Sequence, residues 1–358
     1  MDALFSSLKI KNLVMRNRLV MPPMALDIAT EQGEVTHTLM EHYLRRARPY
    51  PEIDRKKYRG TDRAGLGLII VEHSYVNSSG RAHPRQLGIY DDSLIDGLRE
   101  LVAGIHQEDV PVGIQISHAG ARALQEPSAP SELLSPHLSR FGQRQGEKTK
   151  ELPRELSREG LREIVDDFAR AARRAQLAGF DFVEIHGAHG YLLNQFYSPL
   201  TNVRADEYGG SLEHRLRFPL EVIEAVRKTV GQNMPLFYRL GADDRLSGGN
   251  SIEDSKQAAH LLVEAGIDCL DLSGGICGYL KNGSEGFFSY MAKAIKPIVD
   301  IPVMVTGGIK SGSIANEIIS SKTADLVGVG RALLEDPGWA RKVWFESNGY
   351  LQSQNEKD

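Results

Sequence analysis

The chain has few cysteines, and their scarcity limits its chemistry. Cys269 and Cys277 are the only two among 358 residues. Two thiols argue against a disulfide framework, and they cannot supply the four thiolates of an iron–sulfur cluster. The reducing cytoplasm is therefore the expected compartment.

Long apolar runs and an excess of positive charge are also missing. No run approaches the roughly 20 apolar residues of a membrane span, and the N-terminus has no signal-peptide core. The formal net charge is -4, which gives no reason to expect nucleic acid as a partner. Hydrophobic residues make up 41% of the chain, enough for one large barrel or two ordinary domains. We therefore expect a soluble globular protein.

What the chain does have is a regular alternation of strand-like apolar runs and helical patterns. A short hairpin is predicted at Leu8–Arg18, before the first strand. The eight predicted strands are Leu19–Met21, Leu66–Val71, Val110–Ile116, Phe180–Ile185, Leu236–Leu240, Cys269–Leu272, Ile301–Val305 and Leu326–Val329. A helical pattern follows each of them, which is typical of a parallel barrel with helices outside.

The competing fold is a doubly wound open sheet, which requires a Gly-x-Gly-x-x-Gly turn after its first strand. Pro22-Pro23-Met24 follows the first strand instead. We therefore predict one α/β domain over residues 1–358, a single (β/α)8 TIM barrel with its core at about 18–345.

The insertion Ala119–Leu156 lies after the third strand and should form a lid or wall at the mouth. The insertion Pro49–Arg63, on the opposite face, is either a solvated loop or an oligomer contact.

The most informative polar residues leave the fourth strand, in the stretch Phe180–Gly210. His186, His189 and Tyr191 follow the apolar strand closely, in a Gly-containing segment. Two imidazoles can donate N–H groups to one developing negative oxygen, and a phenol can deliver a proton. They could instead bind a metal or form a hydrogen-bonded structural pair. The spacing alone leaves the three alternatives open.

Further candidates lie at other strand ends, where a TIM barrel carries its chemistry. Gly307-Gly308 and Gly330-Arg331 follow the seventh and eighth strands, the usual phosphate cradle, although two tight turns would look the same. Arg239 ends an apolar strand, so its guanidinium must pair with an anion. That anion is either an acid inside the mouth, Glu184 or Asp271, or a ligand group that becomes anionic on reduction. Gln115, at the end of the third strand, suits an imide or carbonyl edge.

Seven segments together resemble the Old Yellow Enzyme family of flavin-dependent ene-reductases. They are NRLVMPPM, GLIIVE, GIQISHAG, VEIHGAHGYLLNQFYSPLTNVRADEYGGS, PLFYRL, VTGGI and GVGRALLEDP, in consistent order over roughly residues 5 to 340. The resemblance implies a barrel that binds FMN non-covalently at its mouth. NAD(P)H would reduce the flavin and leave, and an α,β-unsaturated carbonyl compound would then take its place.

The resemblance also implies roles for individual residues. Pro23, Met24 and Ala25 should lie against the flavin ring. Gln115 should hydrogen-bond the pyrimidine edge, and Arg239 should face N1 and the C2 carbonyl. The phosphate should be held by Gly307, Gly308, Gly330 and Arg331.

For the substrate, the resemblance implies that His186 and His189 donate to the carbonyl oxygen. Tyr191 should protonate the carbon α to that carbonyl, while hydride from flavin N5 reaches the β carbon. No metal is then needed, and His73 and His118 are the only spare imidazoles nearby that could complete a metal site.

The chain departs from the family pattern at several positions. Ala25 replaces a redox-tuning cysteine found in one branch, and Asp27 replaces a tyrosine. Arg122 stands where a lysine is frequent, and His73 where a small residue is usual. We therefore take Asp27 and Arg122 as candidate substrate contacts.

Three other functions remain open at this stage. The first is a reductase of 2,4-dienoyl or steroid enone substrates, and the second a flavin protein that only carries electrons. The third is a metal-free phosphate-sugar aldolase or isomerase, but that needs a Lys Schiff base or a Glu base, and no strand end offers a Lys. The physiological substrate, the choice between NADH and NADPH, and a homo-oligomeric state are not determined by these patterns.

Overall fold

A computed structural model of the chain describes residues 3–48, 63–134, 152–279 and 283–349. Its strands are β1 (Leu8–Ile10), β2 (Leu13–Met15), β3 (Leu19–Met21), β4 (Leu68–Tyr75), β5 (Val112–Ser117), β6 (Ser128–Ala129), β7 (Arg154–Glu155), β8 (Phe182–Gly187), β9 (Leu236–Asp243), β10 (Cys269–Gly274), β11 (Val303–Thr306) and β12 (Leu326–Gly328). Its α-helices are α1 (His37–Ala47), α2 (Ile95–His106), α3 (Arg158–Ala178), α4 (Leu192–Tyr197), α5 (Leu212–Val230), α6 (Ile252–Glu264), α7 (Ser289–Ile295), α8 (Gly312–Ser320), α9 (Arg331–Glu335) and α10 (Trp339–Ser347).

Eight of these strands close into a parallel barrel in the order β3-β4-β5-β8-β9-β10-β11-β12, and β12 pairs with β3. This confirms the predicted (β/α)8 fold. The barrel strands are buried on both faces because helices cover the outside, so they read as continuous apolar runs. The predicted N-terminal hairpin is also confirmed, with β1 antiparallel to β2.

Capping side chains explain where several helices begin. The hydroxyl groups of Thr36, Ser157, Ser211, Ser251 and Ser311 accept hydrogen bonds from backbone N–H groups of the first helical turns. Each cap satisfies a donor that the helix itself cannot, which stabilises a helix start by about 1 kcal/mol. The caps therefore fix the residue at which each of these helices begins.

The barrel interior is filled in layers, because alternate residues of each strand point inward. The lowest layer is apolar and is closed from below by the hairpin residues Ile10, Leu13 and Met15. The strand residues of that cluster are Val20, Leu68, Ile70, Phe182, Phe237, Cys269, Met304 and Leu326. Two residues further along β8, β9 and β10 the inward positions become charged, so the chemistry begins one layer above this floor.

Four barrel strands run two or more residues further than their apolar cores predict. β4 ends at Tyr75, β8 at Gly187, β9 at Asp243 and β10 at Gly274, so His73 and His186 lie within strands rather than in the loops after them. The ladder continues because neighbouring strands supply hydrogen-bond partners, which no local pattern reveals. The sequence pattern also does not predict the short helices α4 and α9.

Two predicted insertions lie partly outside the described residues: 49–62 of the first, which is nearly all of it, and 135–151 of the second. The described ends of the second insertion form a short parallel pair, in which Ser128–Ala129 lies beside Arg154–Glu155. No helix within the described part of the chain is long and apolar enough to cross a membrane.

Candidate active site

A polar layer crosses the barrel directly above the apolar floor. Gln115 on β5 donates through Nε2 to Oε1 of Glu184 on β8, at 2.8 Å. Arg239 on β9 and Asp271 on β10 face each other in register, with Nε 3.0 Å from Oδ2. The contact is an ion pair without the angle of a hydrogen bond. Thr306 Oγ1 on β11 donates to Oδ1 of Asp271 at 3.2 Å.

Burial controls the protonation of this layer. Burial first, and the nearby charge of Asp271 second, raise the pKa of Glu184 well above its ordinary value. Burial also raises the pKa of Asp271 to about 6, although the adjacent Arg239 acts in the opposite direction. The sequence left Glu184 and Asp271 as alternative acidic partners of Arg239, and Asp271 is the one that forms the ion pair.

The two histidines and the tyrosine come together above the polar layer. The ring centroid of His186 is 5.2 Å from that of His189 and 4.9 Å from that of Tyr191. A tight turn after β8 produces this cluster, with positive φ angles of 58° at His189 and 70° at Gly190. A left-handed non-glycine residue is costly, and such strain concentrates at functional sites. Asn194 on α4 stabilises the turn, because its Oδ1 accepts from Gly190 N at 2.8 Å.

The two imidazoles differ in their surroundings. His186 is buried, and burial first and the charge of His189 second lower its pKa well below the ordinary value, so it is neutral. Its Nδ1 is buried, and no described residue forms a hydrogen bond with it. His189 Nε2 lies 2.8 Å from Ser273 Oγ at the end of β10. One ring is therefore held by packing, and the other by a hydroxyl group.

Arg122 braces this cluster from the loop after β5. Its Nη1 donates to the backbone oxygen of His189 at 2.6 Å, and its guanidinium lies 5.2 Å from the centroid of the Tyr191 ring. The positive charge thus lies against the phenol ring. The prediction that Arg122 contacts substrate stays a prediction, and its contacts to the protein show a bracing role as well.

His73 lies on the other side of His186, and a β-bulge places it there. The β4–β5 register shifts between Val71 and Ser74, and such bulges re-aim side chains next to active sites. The His73 ring is stacked on His186 with centroids 6.2 Å apart and planes 10° apart. Gln86 Nε2 lies 2.7 Å from His73 Nδ1; since an amide nitrogen only donates, Nδ1 accepts and Nε2 carries the proton. Burial lowers the pKa of His73 to about 3, which keeps it neutral.

The segment after β3 lies beside the loop after β12, as the neighbouring strands require. A side chain at Gly330 would place its Cβ 3.2 Å from Met24 Sδ, so Met24 and Gly330 are adjacent. Glu72 Oε2 on β4 accepts from Leu26 N at 3.0 Å and fixes the segment Pro23–Asp27. Asp27 has a φ of 57°, and its Oδ1 accepts from Arg85 N at 2.7 Å. Its predicted substrate contact stays a prediction.

The predicted phosphate loops meet at the same edge, since β11 pairs with β12. Gly308 has a φ of 68°, and a Cβ there would lie 2.5 Å from the Phe287 ring, so only glycine fits. Arg331 follows Gly330 and begins α9. The start of α8 is already capped by Glu285, whose Oε1 accepts from Lys310 N and Ser311 N. Gly307, Gly308, Gly330 and Arg331 remain the predicted phosphate residues.

Sequence reasoning missed the residues that support these side chains. Gln86 has no motif around it, and Asn194 lies in the longest family-like segment without a role assigned to it; the importance of both follows only from what they contact in the folded chain. Ser273 lies at the end of a barrel strand, but no local pattern indicates its hydrogen bond with His189.

The chain is similar to known flavin enzymes. The model of the NADH:flavin oxidoreductase / NADH oxidase family matches residues 3–348. The chain is 40% identical to an NADH oxidase of Thermoanaerobacter brockii, covering 95% of this chain and 50% of that protein, so it spans half of that relative's length. It is 37% identical to an NADPH dehydrogenase of Bacillus subtilis, over 96% of this chain and 95% of the other. The solved old yellow enzyme homologue of Zymomonas mobilis superposes with a TM-score of 0.79 at 26% identity, over 96% and 92% of the two chains.

Proposed function

The chain belongs to the NADH:flavin oxidoreductase / NADH oxidase family, and from this membership and the geometry of the mouth we propose that it is an ene-reductase. It is an NAD(P)H-dependent flavin oxidoreductase that binds FMN non-covalently. The proposed reaction takes hydride from NAD(P)H and reduces the activated C=C bond of an α,β-unsaturated carbonyl compound. FMN supplies the hydride transfer in both half-reactions.

The residues at the mouth fit this cofactor. A flavin has an imide edge, a polar C2–N1 side and a phosphate. Gln115 and Arg239 offer an amide and a guanidinium in the buried polar layer. The glycine loops after β11 and β12 lie side by side, and their glycines have no side chains of their own that would keep an anion from the backbone N–H groups. Pro23, Met24 and Ala25 would lie against the ring, with Gly307, Gly308, Gly330 and Arg331 at the phosphate.

The observation that supports ene reduction most directly is the buried Nδ1 atom of His186, which has no hydrogen-bond partner among the described residues. The ring of His186 is buried and neutral. An unpaired buried polar atom is costly, so its retention beside His189 and Tyr191 favours a ligand oxygen as the missing partner. His186 and His189 would then donate to the substrate carbonyl, where negative charge develops during reduction.

Tyr191 would supply the proton that completes the reduction. Its ring lies 4.9 Å from that of His186, so a substrate held by the histidines lies within reach of the phenol. The Arg122 guanidinium, 5.2 Å from the same ring, would stabilise the negative charge that the phenol oxygen acquires. The proton passes from the phenol oxygen to the carbon α to the carbonyl, and solvent then reprotonates Tyr191.

Two measurements test this function. The purified protein should be yellow, and NADPH should bleach it under anaerobic conditions. Adding 2-cyclohexenone should restore the oxidised spectrum within seconds, whereas buffer should not. If NADPH bleached the protein but 2-cyclohexenone did not restore the colour, the protein would be a flavin protein that only carries electrons. A colourless protein that takes up no FMN would exclude both the ene-reductase and the electron carrier.

A further inference from the structure

The polar layer of the barrel contains more acid than base. Glu184 and Asp271 are each 0% exposed, and Arg239 is 4% exposed. These three ionisable side chains lie on the adjacent strands β8, β10 and β9, with an apolar floor below them. If both acids were ionised, one negative charge would remain uncompensated in a medium of low dielectric, which is strongly unfavourable. One of the two therefore carries a proton.

The contacts identify which acid that is. Asp271 lies 3.0 Å from the Arg239 guanidinium and accepts a hydrogen bond from Thr306. Both contacts favour its ionised form. Glu184 receives only the amide of Gln115 at Oε1, while its Oε2 is buried and has no partner in the described chain. If Glu184 were ionised, one of its two negatively charged oxygens would be buried without a hydrogen-bond partner or a positive charge beside it. Glu184 is therefore the acid that holds the proton.

We propose that Asp271 is a positioning residue that sets the reduction potential of the bound flavin through Arg239, and that Glu184 beside it holds a proton and leaves this potential unchanged. Glu184 is a neutral acid that orients the Gln115 amide. Asp271 is the counter-ion of Arg239 and limits how strongly that guanidinium stabilises a negative charge in the mouth. The inference rests on FMN as cofactor and on the proposed role of Arg239, but not on ene reduction.

The effect of Asp271 on the reduction potential follows from the charge that the flavin gains on reduction. Two electrons and one proton convert the neutral oxidised ring into a reduced ring with one negative charge. A positive Arg239 favours the reduced ring, and an ionised Asp271 opposes this by sharing the guanidinium. Removing the charge of Asp271 should therefore make the potential more positive. Replacing Glu184 by Gln should leave the reduction potential unchanged, because a neutral amide then replaces a neutral, protonated carboxyl group.

The same arrangement predicts how the potential depends on pH. Asp271 has a pKa raised to about 6, so it is ionised at pH 8 and neutral at pH 5. The potentials of wild type and of Asp271→Asn should therefore differ at pH 8 and converge near pH 5. Glu184 and Cys269, whose pKa values the charge of Asp271 affects, lose their protons at higher pH, because burial raises both pKa values well above the ordinary range. His73 and His186, whose pKa values the charge of Arg239 affects, stay neutral because burial lowers those pKa values.

The test is a dye-equilibrated titration of the FMN-loaded protein with the substitutions Asp271→Asn, Glu184→Gln and Glu264→Gln. Glu264, exposed on α6, is a matched control for losing a carboxylate. At pH 8, Asp271→Asn should favour the reduced flavin tenfold or more, which is about 30 mV for a two-electron couple. Glu184→Gln and the control should stay within threefold of wild type.

Two outcomes would overturn the proposal: an unchanged potential in Asp271→Asn, or a Glu184→Gln shift as large as that expected for Asp271→Asn. If Asp271→Asn fails to fold, Thr306→Val replaces it. Losing the Thr306 hydrogen bond raises the pKa of Asp271, so the potential should move in the same direction when it is measured near that pKa, at about pH 6. Infrared spectra of the FMN-free protein give an independent readout. The carbonyl band of a protonated carboxyl group should be present in wild type at pH 7 and weaker in Glu184→Gln. None of these measurements uses an enone, so they succeed or fail independently of the proposed reaction.

Discussion

The sharpest prediction concerns the paired imidazoles, replaced together as His186→Ala and His189→Ala. Each neutral donor to a ligand oxygen contributes about 0.5–1.5 kcal/mol, so losing two weakens phenol binding by about 1–3 kcal/mol. That corresponds to roughly a 5- to 150-fold higher Kd. Charge builds up on the oxygen during reduction, so kcat/KM for 2-cyclohexenone should fall further, by about 100-fold or more.

The assay is a titration of the FMN-loaded protein with phenol, followed through the visible flavin spectrum and reported per bound flavin. His83→Ala is the matched control, because it removes an imidazole whose centroid is 6.0 Å from that of His73 but leaves both proposed donors in place. The control should keep its phenol affinity within threefold. If the double variant lost FMN but bound phenol normally at the remaining flavin, the two histidines would be cofactor supports and the donor assignment would be wrong.

The remaining predictions concern the groups around this pair. Tyr191→Phe should slow flavin reoxidation by enone about 100-fold or more in stopped-flow experiments, while reduction by NADPH keeps its rate; equal slowing of both steps would contradict a proton-donor role. Ser273→Ala removes the hydroxyl 2.8 Å from His189 Nε2 and should raise the phenol Kd about three- to tenfold, with recovery in Ser273→Thr. Burial raises the pKa of Glu72 from near 4.5 to about 8. Between these two pH values the folded state holds a proton that the unfolded state has lost, so the free energy of unfolding falls as the pH rises. The slope is at most about 1.4 kcal/mol per pH unit. In Glu72→Gln this loss should disappear, so that the variant melts above wild type at pH 9; an unchanged pH profile of the Tm would show that Glu72 is ionised in the folded protein.

Strand and helix periodicity carries most of the fold information in this chain. Each barrel strand is an apolar run bounded by loops, and the hydroxyl caps at Thr36, Ser157 and Ser251 mark helix starts that can be read directly from the sequence. The local pattern underestimates the strands at their C-terminal ends. There polar residues interrupt the apolar run, but the hydrogen-bond ladder continues because the neighbouring strand continues.

The candidate site divides in the same way. His186, His189 and Tyr191 can be picked out by sequence because they are close together on one strand and its turn. Partners such as Gln86 for His73, or Ser273 for His189, are 13 and 84 residues away, and nothing in the local sequence predicts them. Only closure of the barrel brings them within hydrogen-bond distance.

The eightfold strand–helix series and the residue types at the mouth follow from the sequence alone, because periodicity and residue chemistry are local properties. The tertiary structure decided that Arg239 pairs with Asp271 rather than Glu184, and that His73 stacks on His186. Both results depend on strand register and on a bulge in β4, which are set by contacts between distant parts of the chain. Charge balance in the buried layer follows from the same register, since it depends on which ionisable side chains become neighbours when the barrel closes.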